Sequence, residues 1–120
     1  PAQAALRELL EECGISGEII GITALRERVK SGQTGVFVAY LVNPNTLEIT
    51  LNSEEISDFG WFCLEELDSV EWLSHTMHSI SVASINHYSS MDMEDYSEEK
   101  DEPYLVHYVQ KNVEIPELSI

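Results

Sequence analysis

The chain begins with a helix that has two chemically different faces. The run Ala2–Cys13 (AQAALRELLEEC) is rich in strong helix formers, and Gly14 follows it as a C-terminal stop. Glu8, Glu11 and Glu12 are three and four residues apart, so they share one face of this helix. The opposite face is apolar and is predicted to bury against a sheet; it carries Leu6, Leu9, Leu10 and Cys13.

The positions of the three carboxylates lower the stability of the helix. Glu8 and Glu12 are like charges at i and i+4, which is a mildly destabilising pair. Glu11 and Glu12 also lie at the end where the helix dipole disfavours anions by about a few tenths of a kcal/mol each. Because lysines would suit that turn better, the acids indicate a site for a hard divalent cation such as Mg²⁺. A solvated acidic face is the alternative.

Further along the chain, apolar patterning predicts four strands and a second helix. The first two strands, the earlier of them broken at Gly21, flank the turn KSGQTG and predict a hairpin. The second helix has apolar residues at about helical spacing. The predicted elements are strands at Glu18–Val29, Val36–Val42, Leu47–Leu51 and Phe59–Cys63, and a helix at Val70–Tyr88.

The character of the sequence changes after residue 88. Asp92–Glu102 holds seven acids and one lysine in eleven residues, a composition typical of a solvated or disordered block. Tyr104–Val109 (YLVHYV) has the composition of an edge strand. We therefore divide the chain into a folded domain at residues 1–88 and an acidic tail with a possible edge strand at residues 89–120.

Charge and composition narrow the function classes. The formal net charge is −16, from 22 acidic and 6 basic residues, which argues against gripping nucleic acid through its phosphates. A small anionic substrate stays possible if a divalent cation mediates the contact. No apolar run is long enough for a membrane span, and no signal peptide is visible. Two distant cysteines, Cys13 and Cys63, read as lone thiols in a reducing cytoplasm.

The string R-E-L-L-E-E-C-G-I at Arg7–Ile15 resembles the second half of the Nudix box, R-E-U-x-E-E-x-G-U, where U is a bulky aliphatic residue. Every specified position matches. Downstream, Gly60-Trp61-Phe62 and Glu65-Glu66-Leu67 resemble the aromatic segment that the family places after the box. The resemblance covers about residues 1 to 85.

The resemblance implies an α+β fold, a Nudix-like α/β/α sandwich with a mixed sheet between the first helix and the helix at Val70–Tyr88. It implies Mg²⁺ or Mn²⁺ as cofactor, held by Glu8, Glu11 and Glu12. Catalytic roles are expected for Glu11, Glu12 and the loop residue Glu55, although the general base is not assigned among them. Arg7 and Gly14 are expected to support the site, Arg7 by holding the Glu11 carboxylate.

The implied reaction is Mg²⁺-dependent hydrolysis of a diphosphate linkage in a nucleoside diphosphate joined to another group. An ADP-ribose-like or dinucleotide substrate is preferred over capped RNA because of the charge. Arg26 and Arg28, two apart on one strand, face the same side and are candidates for binding phosphate or ribose. Ion pairs with surface acids are the alternative for these arginines. A non-catalytic Nudix-like module that binds a nucleotide or protein is the alternative for the whole chain.

Two further side-chain sets have competing interpretations. Trp61 and Phe62 suit either stacking on a base or packing in the core, and the core is favoured. His75 and His78 stand at i and i+3 but have no third ligand at a recognisable spacing, so zinc is disfavoured.

The sequence departs from the family pattern at its start. Counted back from Arg7, the first glutamate of the box would lie two residues before Pro1. We therefore expect part of the metal loop and the opening strands to be missing from this sequence. Without those strands a sheet edge would be exposed, and an exposed edge favours pairing with another chain, so a homodimer is possible.

Overall fold

A computed structural model of the chain describes residues 1–51, 56, 60–87 and 89–110. This part of the chain mixes helices with antiparallel strands, which confirms the α+β class. No helix within these residues is both long and apolar enough to cross a membrane. The elements are α1 (Ala2–Cys13), β1 (Gly17–Lys30), β2 (Gln33–Pro44), a 3₁₀ helix (Leu64–Ser69), α2 (His75–His87), β3 (Asp92–Asp95), α3 (Ser97–Lys100) and β4 (Leu105–Tyr108).

The first helix has the bounds that its sequence predicts, although Leu10, on the face predicted to bury, is exposed. It ends at Gly14, whose φ of 69° is the left-handed conformation that glycine adopts at low cost, and its N–H donates to the Leu10 carbonyl at 2.9 Å. Ala2 at its start and Ile15 just after its end are buried. The helix therefore packs at both ends against its neighbours and is closed at its C-terminus by a defined cap.

Strands β1 and β2 form the predicted hairpin. They pair antiparallel from Gly17 opposite Pro44 to Lys30 opposite Gln33. Ser31 and Gly32 form the turn with φ values of 54° and 77°, and two positive values in a two-residue turn match the right-handed twist of the strands. Register shifts on either side of Gly21 confirm the predicted break in the first strand.

A second antiparallel sheet, β3 with β4, lies against the hairpin. The Met91 N–H donates to the Ile22 carbonyl at 2.9 Å, so the chain joins β1 just before β3 begins. Both sheets in the described residues are two-stranded and antiparallel. The acidic run contains regular structure, β3 and α3, which contradicts disorder, but most of its acids are exposed, as the alternative of a solvated block predicts. The division of the chain at residue 88 stays a prediction.

Two predicted strands are absent from the residues that the structure describes. Leu47–Leu51 has no strand structure and pairs with no strand of the described chain, and residues in and beside it bond to the end of α1 and the loop after it instead. There the Thr50 N–H donates to the Cys13 carbonyl at 2.8 Å, and the Asn45 N–H donates to the Ser16 carbonyl at 2.9 Å. Residues 60–63, the described part of the predicted aromatic strand, also have no strand structure.

Helix α2 begins five residues later than predicted. The Ser74 hydroxyl accepts the Met77 N–H at 3.1 Å, which makes Ser74 the N-cap. Before it, the Trp72 indole donates to the Leu67 carbonyl at 2.8 Å and holds the chain outside a helix. Leu67, in the 3₁₀ helix, is buried. The predicted helix is therefore present but shorter, and residues 70–74 connect it to the 3₁₀ helix.

Candidate functional site

The acidic face of α1 is open to solvent. Glu8 and Glu11 are exposed, and Glu12, one residue nearer the capped end, is half-buried. The Nε of Arg7 lies 3.8 Å from Oε1 of Glu11, which is the contact that the i, i+4 spacing predicts. An exposed pair of this kind contributes only about 0.3–0.5 kcal/mol to stability. Its effect is therefore to orient the Glu11 carboxylate more than to hold the helix together.

The end of α1 is anchored to the segment that follows the hairpin. A Cβ placed on Gly14 would lie 3.1 Å from both the Cβ and the carbonyl oxygen of Thr50, so the two backbones approach as closely as glycine permits. The hydrogen bond from Thr50 to Cys13 closes this contact. The segment that continues towards residue 55 therefore leaves from beside the end of the acidic helix. Glu55 itself lies outside the described residues.

The side chains on the acidic face of α1 offer the type of ligand atom that Mg²⁺ prefers. Its side-chain donors are carboxylate oxygens, and Mg²⁺ is usually held by only one or two carboxylates together with phosphate oxygens and water. No group of three or more possible ligands converges within the part of the chain that the structure describes. The residues therefore fit an ion bound by few protein ligands, as one shared with a phosphate-bearing substrate would be.

The aromatic residues Trp61 and Phe62 are both exposed, so the favoured prediction that they pack in the core is wrong. Trp61 is 53% exposed and Phe62 is 50% exposed. The Trp61 indole N–H donates to the Leu47 carbonyl at 2.9 Å, which ties one edge of the ring to the segment beside the end of α1. About half of each side chain therefore stays accessible to solvent.

The thiol next to this pair is unsuited to nucleophilic chemistry at neutral pH. Cys63 precedes the 3₁₀ helix, where its N–H donates to the Glu66 carboxylate at 2.9 Å. The hydrogen bond between the Cys63 thiol and Glu66, followed by the charge of that carboxylate, raises the pKa of Cys63 above its usual value. Both Cys13 and Cys63 are free thiols.

The two histidines of α2 make structural contacts. His78 Nε2 lies 3.0 Å from Oδ1 of Asp68, joining the helix to the 3₁₀ helix. The ring centroids of His75 and His78 are 6.3 Å apart, and the ring of His78 is tilted against Trp72 at 5.2 Å. These contacts explain the positions of both rings by packing of α2 against the residues before it.

The predicted substrate residues Arg26 and Arg28 lie together on the half of the hairpin nearer its turn, the distal half; the proximal half is the one nearer α1. The Arg26 guanidinium lies over the Phe37 ring at 5.3 Å, and both arginines line one groove of about 340 Å³. Neither forms an ion pair with an acid among the described residues. Nine residues of strand separate Arg26 from Gly17, roughly 30 Å at about 3.3 Å per residue.

Three residues that shape these regions were not predicted from the sequence. Lys30 extends the arginine row, and the alternation R-x-R-x-K on a single strand was a usable signal for it. The Ser74 cap also had a signal, since serine before an apolar helix is a typical N-terminus. Thr50 had none, because its contact with Gly14 joins residues far apart in the sequence.

Together these elements define an α+β domain in which a carboxylate-bearing helix is joined to a long hairpin. The family model described as the NUDIX domain matches residues 1–83, which run from the start of α1 into α2. The chain therefore belongs to the Nudix family, a hydrolase family whose general activity is pyrophosphohydrolysis of small nucleotide substrates, usually with divalent metals. A comparison with curated protein sequences returns no match.

Proposed function

We propose that this chain hydrolyses a diphosphate linkage in a nucleoside diphosphate joined to another group, with Mg²⁺ or Mn²⁺ as cofactor. The observation that carries the proposal is the R-E-L-L-E-E-C-G-I string folded as a helix and closed by Gly14. Three carboxylates on one face of that helix oppose its dipole and each other, so a role other than stability accounts for them. An ADP-ribose-like or dinucleotide compound fits the strongly acidic chain better than RNA.

Glu8, Glu11 and Glu12 are the candidate ligands, of which one or two would hold the ion together with phosphate oxygens and water. When bound, it would supply neutralising charge for the phosphate oxygens and a more acidic attacking water. Arg7 would keep the Glu11 carboxylate oriented through the contact seen at 3.8 Å. Gly14 would set the position of the acidic turn by allowing the close approach of Thr50.

A further carboxylate would accept the proton of the attacking water. Glu55 is one candidate, and the helix acids Glu11 and Glu12 are the others. Thr50 is hydrogen-bonded beside the end of α1, and five residues of chain reach at most about 18 Å from it. That reach keeps Glu55 among the candidates for the base.

The exposed aromatic pair supports a role in substrate binding. Trp61 is held by its indole N–H while about half of the side chain stays exposed, and it lies next to the segment that contacts α1. A purine stacked on Trp61 or Phe62 would place an attached diphosphate on the same side of the molecule as the acidic helix. We infer that the base of the substrate stacks here.

The second candidate is a non-catalytic Nudix-like module that binds a nucleotide or a protein. The observation favouring it is that no three ligands converge in the described residues. The two functions differ in turnover, since both would bind nucleotide but only the enzyme would release product.

The discriminating experiment is product release from a panel of ADP-ribose, dinucleoside polyphosphates, NADH and oxidised deoxynucleoside triphosphates, with and without Mg²⁺. The full chain is compared with Glu12→Gln and with the matched control Glu18→Gln, an exposed acid on β1. We expect metal-dependent turnover that falls at least ~100-fold in Glu12→Gln and is unchanged in the control. Nucleotide binding without turnover by any of the three proteins would sink the enzyme and favour the binding module.

We also propose a cytoplasmic location and a possible homodimer. Two free thiols suit a reducing compartment. The hairpin has only two strands, and unpaired strand edges favour pairing between chains. A single monomeric species in sedimentation at high protein concentration would dispose of the dimer.

A further inference from the structure

Half of the basic residues of this acidic chain lie in one row. The sequence has six lysines and arginines, and three of them are Arg26, Arg28 and Lys30. Alternate residues of a strand point to one face, so all three side chains project from the same side of β1. The row is about 13 Å long at roughly 3.3 Å per residue. A cluster of like charges this close is unfavourable by itself, which calls for a compensating partner.

The opposite strand extends this face without adding an acid. The residues across from the three cations are Phe37, Gly35 and Gln33. Residues directly opposite in an antiparallel pair share a face. Glu27, the nearest acid on β1, alternates to the other face and is paired with Val36. The cationic row is therefore not neutralised by its own hairpin.

The row forms one wall of an open groove with further donors. The groove has a volume of about 340 Å³ and is lined by the three cations together with Ser31, Gln33, Thr34 and Gly35. Arg26 is held over Phe37, and its Nε is shielded from solvent without a hydrogen-bond partner in the described residues. A buried donor without a partner is unfavourable, so the Nε of this guanidinium is a donor whose capacity is unused.

We propose that this distal hairpin face binds an anion that carries two or more linked phosphate groups. Guanidinium forks match phosphate oxygens bidentately, and lysine adds a compact charge at the far end of the row. A single phosphate is too small to bridge a row of this length, whereas a chain of phosphates contacts several of its members together. The hydroxyl and amide donors of Thr34 and Gln33 suit the remaining oxygens.

This site is separate from the proposed hydrolytic centre. Strand geometry puts Arg26 roughly 30 Å from Gly17, where β1 leaves the end of the acidic helix. One diphosphate cannot contact both places in the same chain. The inference therefore does not rest on hydrolysis, and it reassigns Arg26 and Arg28 from the reacting diphosphate to a second anion.

The test is calorimetric binding of inorganic tripolyphosphate to the full chain in EDTA, which removes any contribution from a metal on α1. The double variant Arg28→Gln/Lys30→Gln is compared with Lys100→Gln, a basic residue outside the hairpin, and with Glu12→Gln. We expect binding to weaken at least tenfold in the double variant and to change less than twofold in the other two. Inorganic phosphate should bind at least tenfold more weakly than tripolyphosphate.

Each alternative gives a distinct result. If Lys100→Gln weakens binding as much as the double variant does, the anion is attracted by basic residues in general, and the proposed site is overturned. Equal competition by a hexaglutamate peptide would reassign the face to acidic protein segments. If the double variant does not fold, amide chemical shifts of the unmodified chain decide. Tripolyphosphate must then perturb residues 26–35, and shifts centred elsewhere would overturn the proposal.

Discussion

The two ends of the β1–β2 hairpin have the same strand pairing but different surroundings. At the proximal end, Gly21 is buried beneath the backbone of Met91, and Thr23 lies 3.0 Å from both the Ser84 hydroxyl and the Ser89 carbonyl. At the distal end, Val29 and Val36 are 70% and 60% exposed. The difference shows that pairing forms the hairpin, whereas contacts with α2 and residues 89–91 decide which half of it becomes interior.

Charge follows the same division. The proximal end is joined to α1 with its exposed acids, and the distal end carries Arg26, Arg28 and Lys30. Arg26 lies roughly 30 Å along β1 from Gly17, where the strand begins after the acidic helix. Charges separated by more than the Debye length, about 8 Å at physiological ionic strength, are largely screened from each other. The two ends can therefore act on different anions without cancelling each other.

The largest expected effect tests the packing difference between the ends. In Gly21→Ala the new Cβ would collide with the Met91 carbonyl oxygen and lie 2.6 Å from the Ser90 hydroxyl oxygen. We expect a loss of about 2–3 kcal/mol in the free energy of unfolding, measured by urea titration. Gly35→Ala at the distal end is the control, since a Cβ there would come no closer than 3.9 Å, at the Arg28 carbonyl oxygen, to any described atom beyond its chain neighbours. Equal losses in the two variants would contradict the proposed burial of the proximal half.

A smaller effect compares two glycines with the same backbone conformation. Gly14 and Gly32 both have positive φ, so alanine at either position costs about 1 kcal/mol for the left-handed conformation. A Cβ on Gly14 would also press on Thr50 at 3.1 Å, whereas a Cβ on Gly32 would meet nothing within 4 Å. We expect Gly14→Ala to lose about twice as much unfolding free energy as Gly32→Ala in urea titration. Similar losses would show that Thr50 can move away freely.

The smallest effect concerns the second sheet, which docks on the proximal end. The Tyr96 hydroxyl lies 3.3 Å from that of Tyr108, and this hydrogen bond, followed by burial, raises the pKa of Tyr96 to about 12. A raised phenol pKa favours the neutral form, so its stabilisation is complete below the ordinary value of about 10 and is lost as pH rises through 12. Urea midpoints should therefore fall more steeply in this range for the natural chain than for Tyr96→Phe. Parallel pH profiles would show that the hydrogen bond contributes nothing.

Much of the fold could be predicted because its signals are local. Helix α1 follows from its helix formers and from Gly14, and the hairpin follows from two apolar runs around a short turn. Family membership was readable from nine residues because their spacing is set by a single helix. The late start of α2 at His75 was also encoded locally, by the Ser74 cap, and was overlooked.

The other differences depend on residues far apart in the sequence. Leu47–Leu51 has the alternation of a strand, but its neighbourhood bonds to the loop after α1 through Thr50, so propensity yields to a tertiary partner. Trp61 is a large aromatic residue of the kind that usually packs in a core. Its indole N–H instead donates to the Leu47 carbonyl, and about half of the side chain stays exposed. Neither outcome is visible from residues within one helical turn or one strand.

The sequence by itself therefore determined the acidic helix, the hairpin and the family, because each depends on spacing within one element. Only the tertiary structure decided that the cations of β1 stand apart from the carboxylates of α1, and that the aromatic pair faces outwards. The physical reason is that β1 carries Arg26 roughly 30 Å from Gly17, where the strand begins after the acidic helix, while burial depends on which elements dock.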